Sequence, residues 1–193
     1  MLSVAAAALL AGCARNEPVV EAPPVPAVDT SSPLYAPNFL SMAASSDQLE
    51  IQASQLALQR SSNAGLRQIA QMLITDHTRM SQEMAAAAQG AGLTPPPPGL
   101  RPEHAGLLQQ LQATPAASFD MAYRDAQIMA HQQALTLHQN YANGGDVPAL
   151  RTVAGAAVPI VQGHLNSLQG MNLAPPAPPP PAYQPAPAPG ERG

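Results

Sequence analysis

An all-α fold is what this sequence predicts, and three observations predict it. Alanine is abundant while β-branched residues are sparse and aromatics make up only 3% of the chain, a mix that favours helices over sheets. Four stretches carry apolar residues at steps of three and four, the helical period. Fifteen of the 23 prolines lie before Asn38 or after Asn172, which leaves residues 38–172 as a proline-poor region of ordinary single-domain size.

The first predicted helix runs from Asn38 to Arg60, with Phe39, Met42, Ala43, Ser46, Leu49, Ala53, Leu56 and Ala57 on its apolar face. Asn38 reads as its cap, and Asp47-Gln48-Leu49-Glu50 as a weaker capping box inside it. Ser61-Ser62-Asn63 makes the turn. The second helix runs from Ala64 to Gln89 on a stripe of Leu66, Ile69, Leu73, Met80, Met84 and Ala87, and Gly90-Ala91-Gly92 stops it. The segment TPPPPG, Thr94 to Gly99, is a stiff crossover, followed by a short helix over Pro102–Gln112. The third long helix starts with Thr114 as cap and Pro115 at the first helical position and ends at Gly144-Gly145. Phe119, Ala122, Tyr123, Ala126, Ala130, Ala134, Leu137 and Tyr141 form one stripe on it, and Ile128, His131, Leu135 and His138 a second. The last helix, Asp146 to Met171, buries Leu150, Val153, Ala157, Ile160, His164 and Leu168, with a kink expected at Pro159. Four long amphipathic helices with a long connection between the second and third have the plan of a ferritin-like four-helix bundle with a crossover. Its many core alanines let helix axes come close.

The flanks are of another kind. Residues Val4 to Ala11 form an apolar run too short to span a bilayer, as in the core of a secretory signal, although the usual preceding basic residues are missing. The run ends in Leu10-Ala11-Gly12-Cys13, which resembles the lipobox of bacterial lipoproteins, so residues 1–12 read as a signal peptide and Cys13 as the lipidated first residue. Cys13 is the only cysteine, which excludes an internal disulfide and a zinc–cysteine cluster. Acyl chains contributing about 0.8 kcal/mol per buried CH₂ would hold it to a membrane. By the same resemblance, Ala14 in place of Asp directs the protein to the outer membrane, facing the periplasm. Residues 13–37 read as a Pro-rich tether and residues 173–193 as a Pro-rich disordered tail, each favouring extended polyproline II structure. The Pro178–Pro181 run is read as spacer, with a Pro-reading groove or peptidoglycan as an alternative contact.

With a formal net charge of −4 and eight Lys plus Arg, the chain has no basic stripe for nucleic acid. No Gly-x-Ser-x-Gly turn occurs and the one cysteine is assigned to lipid, so no catalytic motif is found. Chemistry instead gathers around four polar residues, one per long helix, each on or beside an apolar face: Glu50, His77, His131 and His164. Such a set would suit a single Zn, Fe or Cu ion. A di-iron centre needs Glu-x-x-His on two helices, whereas Ile74 and Val161 stand three residues before His77 and His164. The other reading is a buried network in which neutral histidines bond to Glu50, Tyr123, a backbone carbonyl or water. Asp76 and Tyr123 are the expected supporting residues, Asp76 orienting its neighbour His77 or binding backbone. Met72, Met80, Met84, Met121 and Met129 are read as core filler, with soft ligands for Cu(I) as the alternative, His104 and His138 as exposed, and the charges as a solvated face.

One ordered set of residues resembles a known family. Phe39-Leu40 with Ala43-Ala44 and Glu50 are followed by Ile69-Ala70 and Asp76-His77, then Phe119-Asp120 with Tyr123, then His131, then Val158-Pro159 and His164-Leu165. Over residues 38–171 this resembles the bacterial "domain of unknown function 4142" family of secreted or envelope proteins. The resemblance implies a ferritin-like fold and an envelope location, and no activity. The function expected from the sequence is a lipid-anchored envelope protein whose non-catalytic bundle serves interaction, with a cell-envelope protein or peptidoglycan, or envelope structure. The alternative is mononuclear metal binding or buffering in the periplasm.

Overall fold

The computed structural model describes residues 29–173. Cys13, the signal and most of the tether, and the tail beyond Leu173 lie outside the described residues. Among those described there are five α-helices and no strand: α1 (Ala36–Arg60), α2 (Ala64–Gly90), α3 (Pro102–Ala113), α4 (Ala116–Gly144) and α5 (Pro148–Gln169). None is long and apolar enough to cross a membrane.

Every predicted helix is present, but three starts are displaced. The first is α1, which begins at Ala36, ahead of Asn38, with Pro37 in its first turn where a missing N–H costs nothing. Asn38 does not cap it; the Asn38 amide donates to the carbonyls of Thr30 (2.7 Å) and Ser32 (3.0 Å). The Leu34 carbonyl accepts from Asp146 N at 3.1 Å, so the chain before Asn38 is fastened to the α4–α5 turn. Thr114 closes α3 rather than opening α4, its hydroxyl donating to the Gln110 carbonyl at 2.8 Å, and Pro115 takes the cap position of α4. Asp146 lies before α5, which starts at Pro148, and accepts from the Tyr141 hydroxyl at 2.9 Å. Once started, α5 continues through Pro159 to Gln169.

Other ends follow the local rules. Asn63 caps α2 by accepting from Leu66 N at 3.0 Å. At its far end Gly92 takes φ +75°, and Leu93 N reaches back to the Ala88 carbonyl at 2.9 Å, a left-handed turn that suits glycine. Arg60 ties down the end of α3, donating to the carbonyls of Leu111 (2.9 Å), which also accepts from Thr114 N, and Gln112 (3.1 Å). Its guanidinium lies 4.3 Å from the Phe119 ring centroid, a favourable cation–π placement.

In packing, α1 lies against α2 and α4, α5 against α2 and α4, and α3 against α1 and more lightly α4. One apolar cluster gathers Leu49, Leu66, Leu111, Phe119 and Tyr123 at one end. A second gathers Phe39, Leu40, Met84, Tyr141 and Leu150 at the other. Met80, Ala134, Ala157 and Val161 form a smaller cluster of their own. Between these apolar layers lies a polar one.

Candidate metal centre

Glu50 comes from α1, His77 from α2, His131 from α4 and His164 from α5, and none is more than 3% exposed. Each is carried inward because its helix has an apolar stripe there: on α2, Leu73, His77, Met80 and Met84 follow one another at steps of three and four and all are buried. The three imidazoles form a nearly equilateral triangle, with ring centroids 5.4 Å (His77–His131), 5.3 Å (His77–His164) and 5.4 Å (His131–His164) apart.

Each ring has one nitrogen engaged outward. His77 Nδ1 pairs with Asp47 Oδ1 at 2.9 Å, His164 Nε2 with Asp76 Oδ2 at 2.9 Å, and His131 Nδ1 with the Gln127 carbonyl at 2.8 Å. With N–H donating outward, the other nitrogen of each neutral ring presents a lone pair. All three of those nitrogens are buried, and His131 Nε2 and His164 Nδ1 have no hydrogen-bond partner among the described residues, whereas His77 Nε2 faces Glu50. Glu50 Oε2 lies against His77 Nε2 as an ion pair, while Glu50 Oε1 accepts from Ser46 Oγ at 3.4 Å. One nitrogen from each of the three rings falls within 4.8 Å of the others. A tetrahedral ion with bonds of about 2.0–2.1 Å would draw its donors to roughly 3.3 Å apart, so small ring movements close the set.

Three carboxylates, Asp47, Glu50 and Asp76, face these rings, a balance that favours positive charge at the centre. Burial by itself would raise the Glu50 carboxyl, but the surrounding imidazoles, His131 and then His77, outweigh it and hold it at about 2. Burial by itself would likewise lower His77; the Glu50 charge and the bond to Asp47 lift it to about 10. The protein without a bound cation therefore carries a Glu50 carboxylate against a His77 imidazolium. Burial pushes His131 and His164 below their ordinary value, which favours their neutral forms.

Several expectations need correction here. Asp76 supports His164 across the α2–α5 contact, not its neighbour His77. Tyr123 is fully buried, but its hydroxyl meets Ser54 Oγ at 2.8 Å, not a histidine. The residue that orients His77 is Asp47, which the sequence offered as part of a capping box; it is buried in mid-helix and also accepts from Ser81 Oγ at 2.6 Å. The signal that could have found it is its spacing, one turn before Glu50 on the same face. His138 is buried, not exposed, and His104 is half-buried with Nδ1 2.7 Å from Ser45 Oγ. Of the methionines, Met80 and Met84 are core, whereas Met129 is 45% exposed.

Fold and site together define an all-helical protein with a buried cluster of three histidines and one glutamate between its helices. The chain belongs to the DUF4142 family, a domain of unknown function, whose model matches residues 21–171. Among solved structures, it is similar to CopM in the Cu(II)-bound form, with 21% identity, TM-score 0.60, and 70% of this chain and 93% of that one covered. A DUF305 fragment from Deinococcus radiodurans is also similar, with 18% identity, TM-score 0.61, and coverage of 72% and 95%. These likenesses show a shared helical fold. No curated protein matches the sequence significantly.

Proposed function

We propose that this domain binds one divalent first-row metal ion through His77 Nε2, His131 Nε2, His164 Nδ1 and Glu50 Oε2. The observation that carries the reading is the convergence of three buried imidazole nitrogens within 4.8 Å of one another, with His131 Nε2 and His164 Nδ1 lacking any hydrogen-bond partner among the described residues and His77 Nε2 turned to Glu50 Oε2, behind rings whose other nitrogens are all engaged. A network built only for helix register would leave such atoms costly. A metal-binding histidine, by contrast, commonly donates its second nitrogen to a carboxylate or carbonyl, which fixes the ring. Three imidazoles and a carboxylate suit copper, zinc or iron, and copper(II) binds such donors most tightly of the divalent series. The likeness to a protein solved in a Cu(II)-bound form supports copper as the first ion to try. Four protein donors complete a tetrahedral set with no open position, which supports holding or buffering the ion rather than turning over a substrate.

The contacts of α1, α2, α5 and α4 in a ring, with α3 in the connection between α2 and α4, support reading the architecture as a ferritin-like bundle with a crossover. The Leu10–Cys13 pattern supports a lipid-anchored placement in the cell envelope, at the periplasmic face of the outer membrane. The interaction role expected from the sequence has no comparable set of atoms behind it. The test is equilibrium dialysis of the full chain carrying Cys13→Ser, which removes a competing thiol, against Cu(II), Zn(II) and Fe(II), with bound metal counted by mass spectrometry. One equivalent is expected, and none in a His77→Ala/His164→Ala variant shown to be helical by circular dichroism. No bound metal under any condition would overturn the reading.

A further inference from the structure

Next to the histidine layer, toward the Phe39 end, the helices leave a second small space. It is about 10 Å³ in volume and is faced by Met80 and Met84 of α2, His138 of α4 and Asp47 of α1, with Glu83 beside them and an apolar wall that includes Ala157 of α5. That is room for about one water molecule or one ion. His138 is only 3% exposed and its Nδ1 has no hydrogen-bond partner among the described residues. Its ring lies edge-on to Phe39, with centroids 5.7 Å apart. Met80 and Met84 are one turn apart on the same face of α2, so both thioethers reach the same layer.

We infer that Met80 Sδ, Met84 Sδ and His138 Nδ1 form a second, softer site that takes a monovalent d¹⁰ cation, Cu(I) by chemical class. Thioethers are weak donors to hard divalent ions and good ones to Cu(I), and imidazole accompanies them readily. Asp47 and Met84 also line a neighbouring groove of about 150 Å³ walled by Leu40, Pro95 and Pro96. The site differs from the histidine centre in donors and ion class and does not depend on that centre holding a metal.

Ag(I) is the probe, being soft, monovalent and inert to redox chemistry. The full chain with Cys13→Ser, labelled with ¹³C at its methionine methyls, is titrated with silver nitrate in chloride-free buffer to two equivalents. The Met80 and Met84 methyl resonances are expected to shift together and saturate, while that of exposed Met129 stays in place. The Met80→Leu/Met84→Leu variant keeps core volume and is tolerated in most cores. Its Ag(I) affinity is expected to fall by more than the roughly 10–100-fold that losing an outer partner costs. Unmoved Met80 and Met84 methyls at two equivalents would mean that the space holds only a water between His138 and Asp47. That result, or unchanged Ag(I) affinity in the leucine variant, would overturn the inference.

Discussion

Asp47→Asn isolates the outer partner of His77. The replacement keeps the side-chain shape and removes its charge. In the wild type Asp47 Oδ1 accepts from His77 Nδ1 at 2.9 Å while Oδ2 accepts from Ser81 Oγ at 2.6 Å. Asparagine has a single acceptor oxygen. If that oxygen faces His77, the amide faces Ser81, whose hydroxyl turns to accept, so both contacts survive as neutral bonds. A bond to a charged group contributes about 1.5–3 kcal/mol net and a neutral one about 1 kcal/mol, so the His77 contact weakens by roughly 0.5–2 kcal/mol. That is a factor of about 2–30 in an equilibrium constant at 1.4 kcal/mol per decade, overlapping the lower part of the roughly 10–100-fold range for losing an outer partner of a metal ligand. The assay is competition for Cu(II) against a chelator of known affinity, in the full chain with Cys13→Ser. Affinity unchanged to within about twofold would refute an orienting role for Asp47, and a loss beyond about 10⁴-fold would make Asp47 a direct ligand, outside the range of an outer partner.

The metal-free chain has a pH window of its own. Glu50 is held at about 2, below its ordinary 4.5, so its contribution is complete above 4.5 and lost as pH falls toward 2; His77 is held at about 10, above its ordinary 6.5, so its contribution is complete below 6.5 and lost as pH rises toward 10. These are two views of one ion pair, and because burial also lowers His131 and His164, which costs stability as pH falls below their ordinary 6.5, urea unfolding of the metal-free chain should show greatest stability near 6.5, with an alkaline decline that Glu50→Gln flattens. Metal removal should lower the melting temperature: at a free ion concentration a hundredfold above Kd the ion adds about 2.7 kcal/mol, about 5–11 °C for a chain of this size, measured by calorimetry before and after a chelator. Gly145→Ala should destabilise by about 1–3 kcal/mol through overpacking, because its new Cβ would lie 2.6 Å from Tyr141 Cζ, on a ring stacked 3.8 Å from Phe39; a variant as stable as wild type in urea would contradict this.

The helices were legible because their signal is local and repeated: an apolar stripe such as Leu66–Leu73–Met80 needs no knowledge of the rest of the chain. Glu50, His77, His131 and His164 were legible for the same reason, each interrupting such a stripe. What pairs with what was not legible. Asp76 stands beside His77 in sequence, but one step along a helix turns it toward α5, where His164 lies 88 residues away. Asp47 looked like a cap because Asp, Asn, Ser and Thr favour helix starts, and only the fold shows it in mid-helix facing His77. Asn38 and Thr114 were misread on the same preference: a proline in the first turn sets the start of α1, and Thr114 bonds back into α3. The His138 stripe on α4 was visible, but its burial depended on α2 and α5 closing over it.

In the proposed centre, three imidazoles and one carboxylate hold a single ion. Pulsed electron paramagnetic resonance on the Cu(II)-loaded full chain with Cys13→Ser tests it most directly, since each bound imidazole leaves the signature of its remote nitrogen. Three imidazoles on one copper are expected, two in His131→Ala, and a changed but still imidazole-rich spectrum in Glu50→Gln. One imidazole or none, or a spectrum that His131→Ala leaves unaltered, would contradict it.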